Sequence, residues 1–168
     1  MKNKQSQKGI SLLELIIYIA VFSVIAVVMI EIFFVSMRGR DLANARYEIS
    51  SNLRFATEKV RQAVFDASSI KLLGTCQSNI LEITTGTATS TFYIENGIFK
   101  FSSSTEISDI TTNKIIATTT QSDCLFATSS NPFPAKTTLQ MKIKMVYNSQ
   151  GRSDLDISDS RQITVSLR

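Results

Sequence analysis

The chain contains no histidine and no tryptophan. Histidine is the commonest general base near neutral pH and the commonest nitrogen ligand for zinc, so its absence removes ordinary Ser-His-Asp triads and His-based metal centres together. A Ser-Lys pair stays open on composition, but nothing in the spacing marks one, and an enzyme is not expected. Proline is nearly as scarce, with none before Pro132. The only cysteines are Cys76 and Cys124, too far apart for a CxxC pair and too few for a structural zinc site. In an exported domain a disulfide between them is a better reading than two free thiols. It would close a loop of about 50 residues, worth on the order of 4 kcal/mol in the chain-entropy model. A surplus of positive charge is also missing from the body of the chain. The formal +4 includes Lys2, Lys4 and Lys8, and from Ile10 onward 15 Lys and Arg stand against 14 Asp and Glu. No clustered basic face for phosphate neutralisation follows, so nucleic-acid binding is not predicted, and no cofactor is called for. The 168 residues suit one domain with a modest core.

What the sequence does have is a long apolar run, ISLLELIIYIAVFSVIAVVMIEIFF, from Ile10 to Phe34. At about 1.5 Å per residue it is long enough to cross a hydrocarbon core of about 30 Å as a helix. The three lysines before it favour a cytoplasmic leader with the remainder outside, although Arg38 and Arg40 on the far side weaken that preference slightly. A secretory signal peptide is the plain alternative. Its apolar stretch is normally uncharged and ends at a small-residue cleavage site, whereas here Glu14 lies inside the run and no convincing A-x-A site follows.

A carboxylate in a membrane helix costs about 3 kcal/mol on insertion scales and usually marks a specific partner. The stretch Lys8-Gly9-Ile10-Ser11-Leu12-Leu13-Glu14-Leu15 resembles the type IV prepilin leader junction. The resemblance implies cleavage between Gly9 and Ile10 by a prepilin peptidase, N-methylation of Ile10, and an assembly salt bridge from Glu14 to the terminal amine of a neighbouring subunit. Many members of that family have Phe where this chain has Ile10. Major pilins often carry a helix-disrupting Pro near Glu31, and its absence here favours a minor pilin or pseudopilin. Glu31 itself reads as a boundary carboxylate reaching headgroups or water.

After Gly39, Leu42, Ala45, Ile49, Leu53, Ala56, Val60, Ala63 and Ala67 recur at spacings of three and four, the stripe of an amphipathic helix. One helix from about Ser11 to Ser68 is expected, nearly 90 Å long at 1.5 Å per residue, with an apolar first half that neighbouring subunits or lipid must cover. Past Ile70 the sequence turns to Thr, Ser, Ile and Phe in short alternating runs. Strands are expected at 79–84, 91–95, 98–101, 114–118, 138–147 and 162–167, with Asn96-Gly97 as a hairpin turn. The connectors at 102–105 and 118–131 read as solvent-facing loops. Asp154, Asp156 and Asp159 do not match an EF-hand pattern and read as a solvated loop, with no metal site assigned.

The expected fold class is α+β, a long N-terminal helix packed on a C-terminal antiparallel sheet. Residues 1–9 form the cleaved leader, 10–35 the membrane-spanning and assembly half of the helix, 36–69 its amphipathic half, and 70–168 a β-rich head. The resemblance implies a structural subunit of a type IV pilus, a type II secretion pseudopilus or a competence pilus. Its partners would be other pilin subunits, the prepilin peptidase, the inner-membrane assembly platform and, before assembly, membrane lipid. The alternative is a membrane-anchored monomeric adhesin or ligand-binding domain.

Overall fold

The computed structural model describes residues 12–74, 76, 80–119, 123–132 and 135–167. Contacts divide the chain into two compact units, one ending at Asp41 and one beginning at Leu42. Helix α1, Leu12–Phe65, supplies the whole described part of the first unit and the opening element of the second. It is a long helix because no proline or N-terminal glycine breaks it. Glu14 in the first turn complements the positive end of the helix dipole. Gly39 does not end the helix, and the space around it is open.

Within the second unit, α1 buries Ala45, Ile49, Leu53, Ala56, Val60 and Val64. The stripe closes on Val64, with Ala63 only partly buried, because a 3.6-residue period drifts across a three-four spacing and the larger side chain takes the inward position. Two polar residues share this face. Thr57 donates to Leu53 O at 2.7 Å and Asn52 to Glu48 O at 2.8 Å, so neither is left unsatisfied. The helix stops at Phe65, short of the expected Ser68, without a glycine or proline. Ser68 N–H and Oγ–H instead both donate to Thr84 O at 2.8 Å, so the chain gives its next hydrogen bonds to a strand.

The strands form two antiparallel sheets, in keeping with the expected antiparallel β domain. The first is a meander of β1 (Ser69–Leu73), β2 (Ile80–Thr85), β3 (Ala88–Glu95), β4 (Ile98–Ser103) and β5 (Ile107–Asp109), in that order. The second is built on β8 (Ala135–Tyr147). One edge of β8 pairs with β9 (Ser158–Ser166) from Thr138 to Val146. That leaves the other edge for β6 (Ile115–Thr118) and β7 (Phe126–Pro132), which follow one another along it. The β3–β4 hairpin turns at Asn96-Gly97 with φ of 52° and 75°, the two left-handed residues that a type I′ turn requires. Gly97 also sits against β6: its carbonyl accepts from Ala117 N–H at 2.7 Å, and a Cβ there would meet Ile116 Cγ2 at 3.0 Å.

Strand β7 corrects the sequence reading, which treated 118–131 as a solvent-facing loop. Leu125 and Phe126 are buried, and Phe126 through Pro132 pair with β8. Ser and Thr suit a strand as well as a loop, and the partner strand decides between them. Strands β1 and β5 were likewise not anticipated, and β9 begins at Ser158 before its first partly buried residue, Ile163. The core lies where α1 meets both sheets. Leu81, Ile83, Phe92 and Phe99 come from the first sheet, and Phe126, Leu139, Met141, Ile143 and Met145 from the second. Inward residues of β8 alternate with half-exposed ones, as one-faced burial requires. Phe99 and Phe126 join the sheets with ring centroids 6.4 Å apart.

Candidate assembly segment

The described part of the N-terminal unit presents an exposed apolar surface. Every large apolar side chain from Leu12 to Met37 is exposed, with Leu12 at 78% and Phe22 at 72%. The helix is long and apolar enough to cross a membrane. Its few polar groups are partly satisfied along the helix itself. Ser23 Oγ–H donates to Ala20 O at 2.8 Å, which removes a bare hydroxyl donor from the apolar surface.

Glu14 lies one turn before Tyr18, and the Tyr18 hydroxyl approaches Glu14 Oε1 at 3.4 Å. This pair stands side by side because residues four apart face each other on a helix. Sequence reasoning passed over Tyr18, although that spacing was there to be read. The long single bond leaves most of the carboxylate's acceptor capacity open. Gly9 and Ile10, where the leader junction is expected, lie outside the described residues.

The second unit holds a covalent tether and, among the described residues, two aromatic-lined open clefts beside α1. Cys76 and Cys124 are disulfide-bonded, with Cα atoms 4.5 Å apart. Beside the bond, Leu125 N–H donates to Cys76 O at 3.2 Å and Lys142 N–H to Leu125 O at 2.9 Å. The segment after β1 is thereby fastened to β8. One cleft, of about 530 Å³, is lined by Tyr47, Arg54, Phe55, Glu58 and Arg161. The other, of about 420 Å³, is lined by Phe55, Lys59, Asp66, Phe92 and Phe101. Arg61 is hydrogen-bonded to Glu58 and holds its carboxyl below the usual carboxylate range, while Glu95 raises the Lys100 ammonium above its ordinary value. Both are surface pairs. Among the described residues no group of three or more His, Cys, Asp or Glu side chains is placed to hold a metal. In the Asp154 to Asp159 segment, Asp154 pairs with Arg152 at 2.9 Å and Asp159 belongs to β9.

A long N-terminal helix followed by antiparallel sheets is a pilin-like α+β architecture. Residues 4–30 match the family model of the prokaryotic N-terminal methylation motif, which is a type IV pilin-like signal. No curated protein and no solved structure matches the chain. The matched stretch contains Gly9, Ile10, Glu14 and Tyr18. Such a motif points to a structural protein and implies processing by a prepilin peptidase and assembly with other pilins.

Proposed function

We propose that the chain is a minor pilin or pseudopilin, a structural subunit of a type IV pilus, a type II secretion pseudopilus or a competence pilus. The observation that carries this reading is one segment with two properties. It bears the methylation motif, and its described large apolar side chains are all exposed with a carboxylate near its start. A surface of that kind is stable only in lipid or among other apolar helices. The subunit first waits in the membrane with its leader in the cytoplasm and its C-terminal unit outside. The peptidase then cuts between Gly9 and Ile10, Ile10 is methylated, and the assembly platform lifts the helix into a fibre. An oxidising compartment for the C-terminal unit agrees with the Cys76–Cys124 bond.

In assembly, Glu14 accepts the positive charge of the amine freed at Ile10 of a neighbouring subunit. The peptidase step is the direct test of the reading. Gly9→Val places a branched side chain where the cut requires none, so the full-length precursor accumulates in the membrane and the mature chain is lost. Intact-mass measurement distinguishes the two forms. A Gly9→Val chain that still begins at methylated Ile10 would refute the assignment.

A further inference from the structure

The apolar segment holds a second carboxylate that the proposed function leaves without a role. Glu31 is exposed on α1, and the positions one turn away on either side, Val27, Val28, Phe34 and Val35, are all apolar. Neither Glu31 nor Arg38 has a hydrogen-bond or ion-pair partner among the described residues. Arg38 is the first cation beyond Glu31, seven residues on. Seven residues are two helical turns less about 20°, so both side chains belong to one stripe of the helix. They are separated along the axis by about 10.5 Å. Arg40 falls on the opposite side, because nine residues turn the helix through about 180° from Glu31.

We infer that Glu31 of one copy pairs with Arg38 of an adjacent second copy, in a parallel contact between N-terminal helices staggered by two turns. On a single helix the charges are too far apart to meet. On two parallel helices offset by that distance they are level, and both side chains lean towards their own N-termini, so they meet at one height. The rest of the stripe, with Val24, Val27, Val28, Phe34 and Val35, is apolar and packs helix against helix.

The complementarity is to the chain's own surface, which selects a second copy over an unrelated partner. Each copy offers a carboxylate at one height and a guanidinium two turns further out. The contact is therefore staggered rather than two-fold symmetric, and each pair leaves one carboxylate and one guanidinium open to a further copy. An arginine–carboxylate pair is also the strongest common ion pair for a site from which water is excluded. The inference rests on the assembly reading but is independent of Glu14.

Two experiments on the full-length chain test it. Glu31→Arg and Arg38→Glu each place like charges opposite one another, and fibre incorporation, normalised to membrane level, should fall about tenfold. Both substitutions in one chain restore an opposite pair and should return incorporation to the parent level. Separately, differently tagged Glu31→Cys and Arg38→Cys copies, co-expressed and mildly oxidised, should give a mixed 31–38 dimer in excess of the 31–31 dimer. Normal incorporation of the single reversals, a combined variant no better than either single, or a dominant 31–31 dimer would each overturn the pairing. If the parent is found in fibres and the reversals behave like it, the pair is wrong and the assembly reading stands. If the parent enters no fibre, the assembly reading falls and takes the pair with it.

Discussion

Asn52 shows how much one polar side chain does in a mostly apolar interface. It is buried on α1, donates to Glu48 O and accepts from the Thr112 backbone N–H at 3.0 Å, while Glu48 takes the Thr112 hydroxyl at 2.8 Å. Two adjacent helical turns thereby hold the backbone that leads into β6. Asn52→Ala leaves the Thr112 amide without its acceptor and opens a small void. A loss of about 0.5–1.5 kcal/mol is expected, the net worth of one hydrogen bond at a part-buried site. Chemical denaturation of the detergent-solubilised chain measures it, and Asn52→Asp, which keeps the acceptor, should lose less near neutral pH. The exposed Glu58–Arg61 pair, at 2.7 Å, is a contrasting case. Its lowered carboxyl pKa means that any stabilisation is present above the ordinary carboxylate range and disappears as pH falls through the lowered value. Full exposure to solvent and salt keeps that contribution small.

At the scale of elements, the long helix and the β3–β4 hairpin were legible because each follows from local chemistry. Spacings of three and four need only a helix to line up, and Asn-Gly needs only a tight turn. The inward set of β8 was legible for the same reason, since Leu139, Met141, Ile143 and Met145 alternate without interruption. Strand β7 was not legible, because ATSSNP after Phe126 carries no alternation and becomes a strand only by pairing with β8. The division into two sheets was equally hidden, since it depends on which edges β8 offers. In the candidate site, Gly9, Ile10 and Glu14 stood out as a pattern of offsets, while Tyr18 is visible only once side chains share a helix face. The disulfide is an element-scale device, closing a sequence separation of 48 residues between the end of β1 and the approach to β7. Cys76→Ser with Cys124→Ser should lower stability by about 2–5 kcal/mol, and the Tm of the purified chain should fall accordingly. Reduction of the parent with dithiothreitol should reproduce most of that shift, and an unchanged Tm in both cases would show that hydrogen bonds alone hold the segment.

Across the whole molecule, the chain assigns its two kinds of apolar surface to different solvents. From Ala45 onward the helix buries its stripe against the chain's own sheets, whereas the large apolar side chains from Leu12 to Met37 are exposed among the described residues. A monomer in water would be penalised for that second surface, so on the proposed reading it exchanges lipid for other helices when a fibre forms. On the proposed assembly, Glu14 makes the exchange directional. In lipid it costs about 3 kcal/mol on insertion scales and gains only the long contact from Tyr18 at 3.4 Å. Beside the amine of a neighbouring Ile10, as proposed, the same carboxylate would acquire a full counter-charge, and the pair would favour the fibre over the membrane. Glu14→Leu should therefore insert at least as well as the parent and yet enter fibres about tenfold less, because the carboxylate that drove the transfer is gone. Tyr18→Phe removes the competing hydroxyl and leaves the carboxylate, so it should assemble like the parent. The measurement is the ratio of chain in sheared fibres to chain in membranes for all three. Equal ratios would mean that Glu14 takes no part in assembly, and the chain would then be better described as a monomeric anchor carrying a β-rich domain.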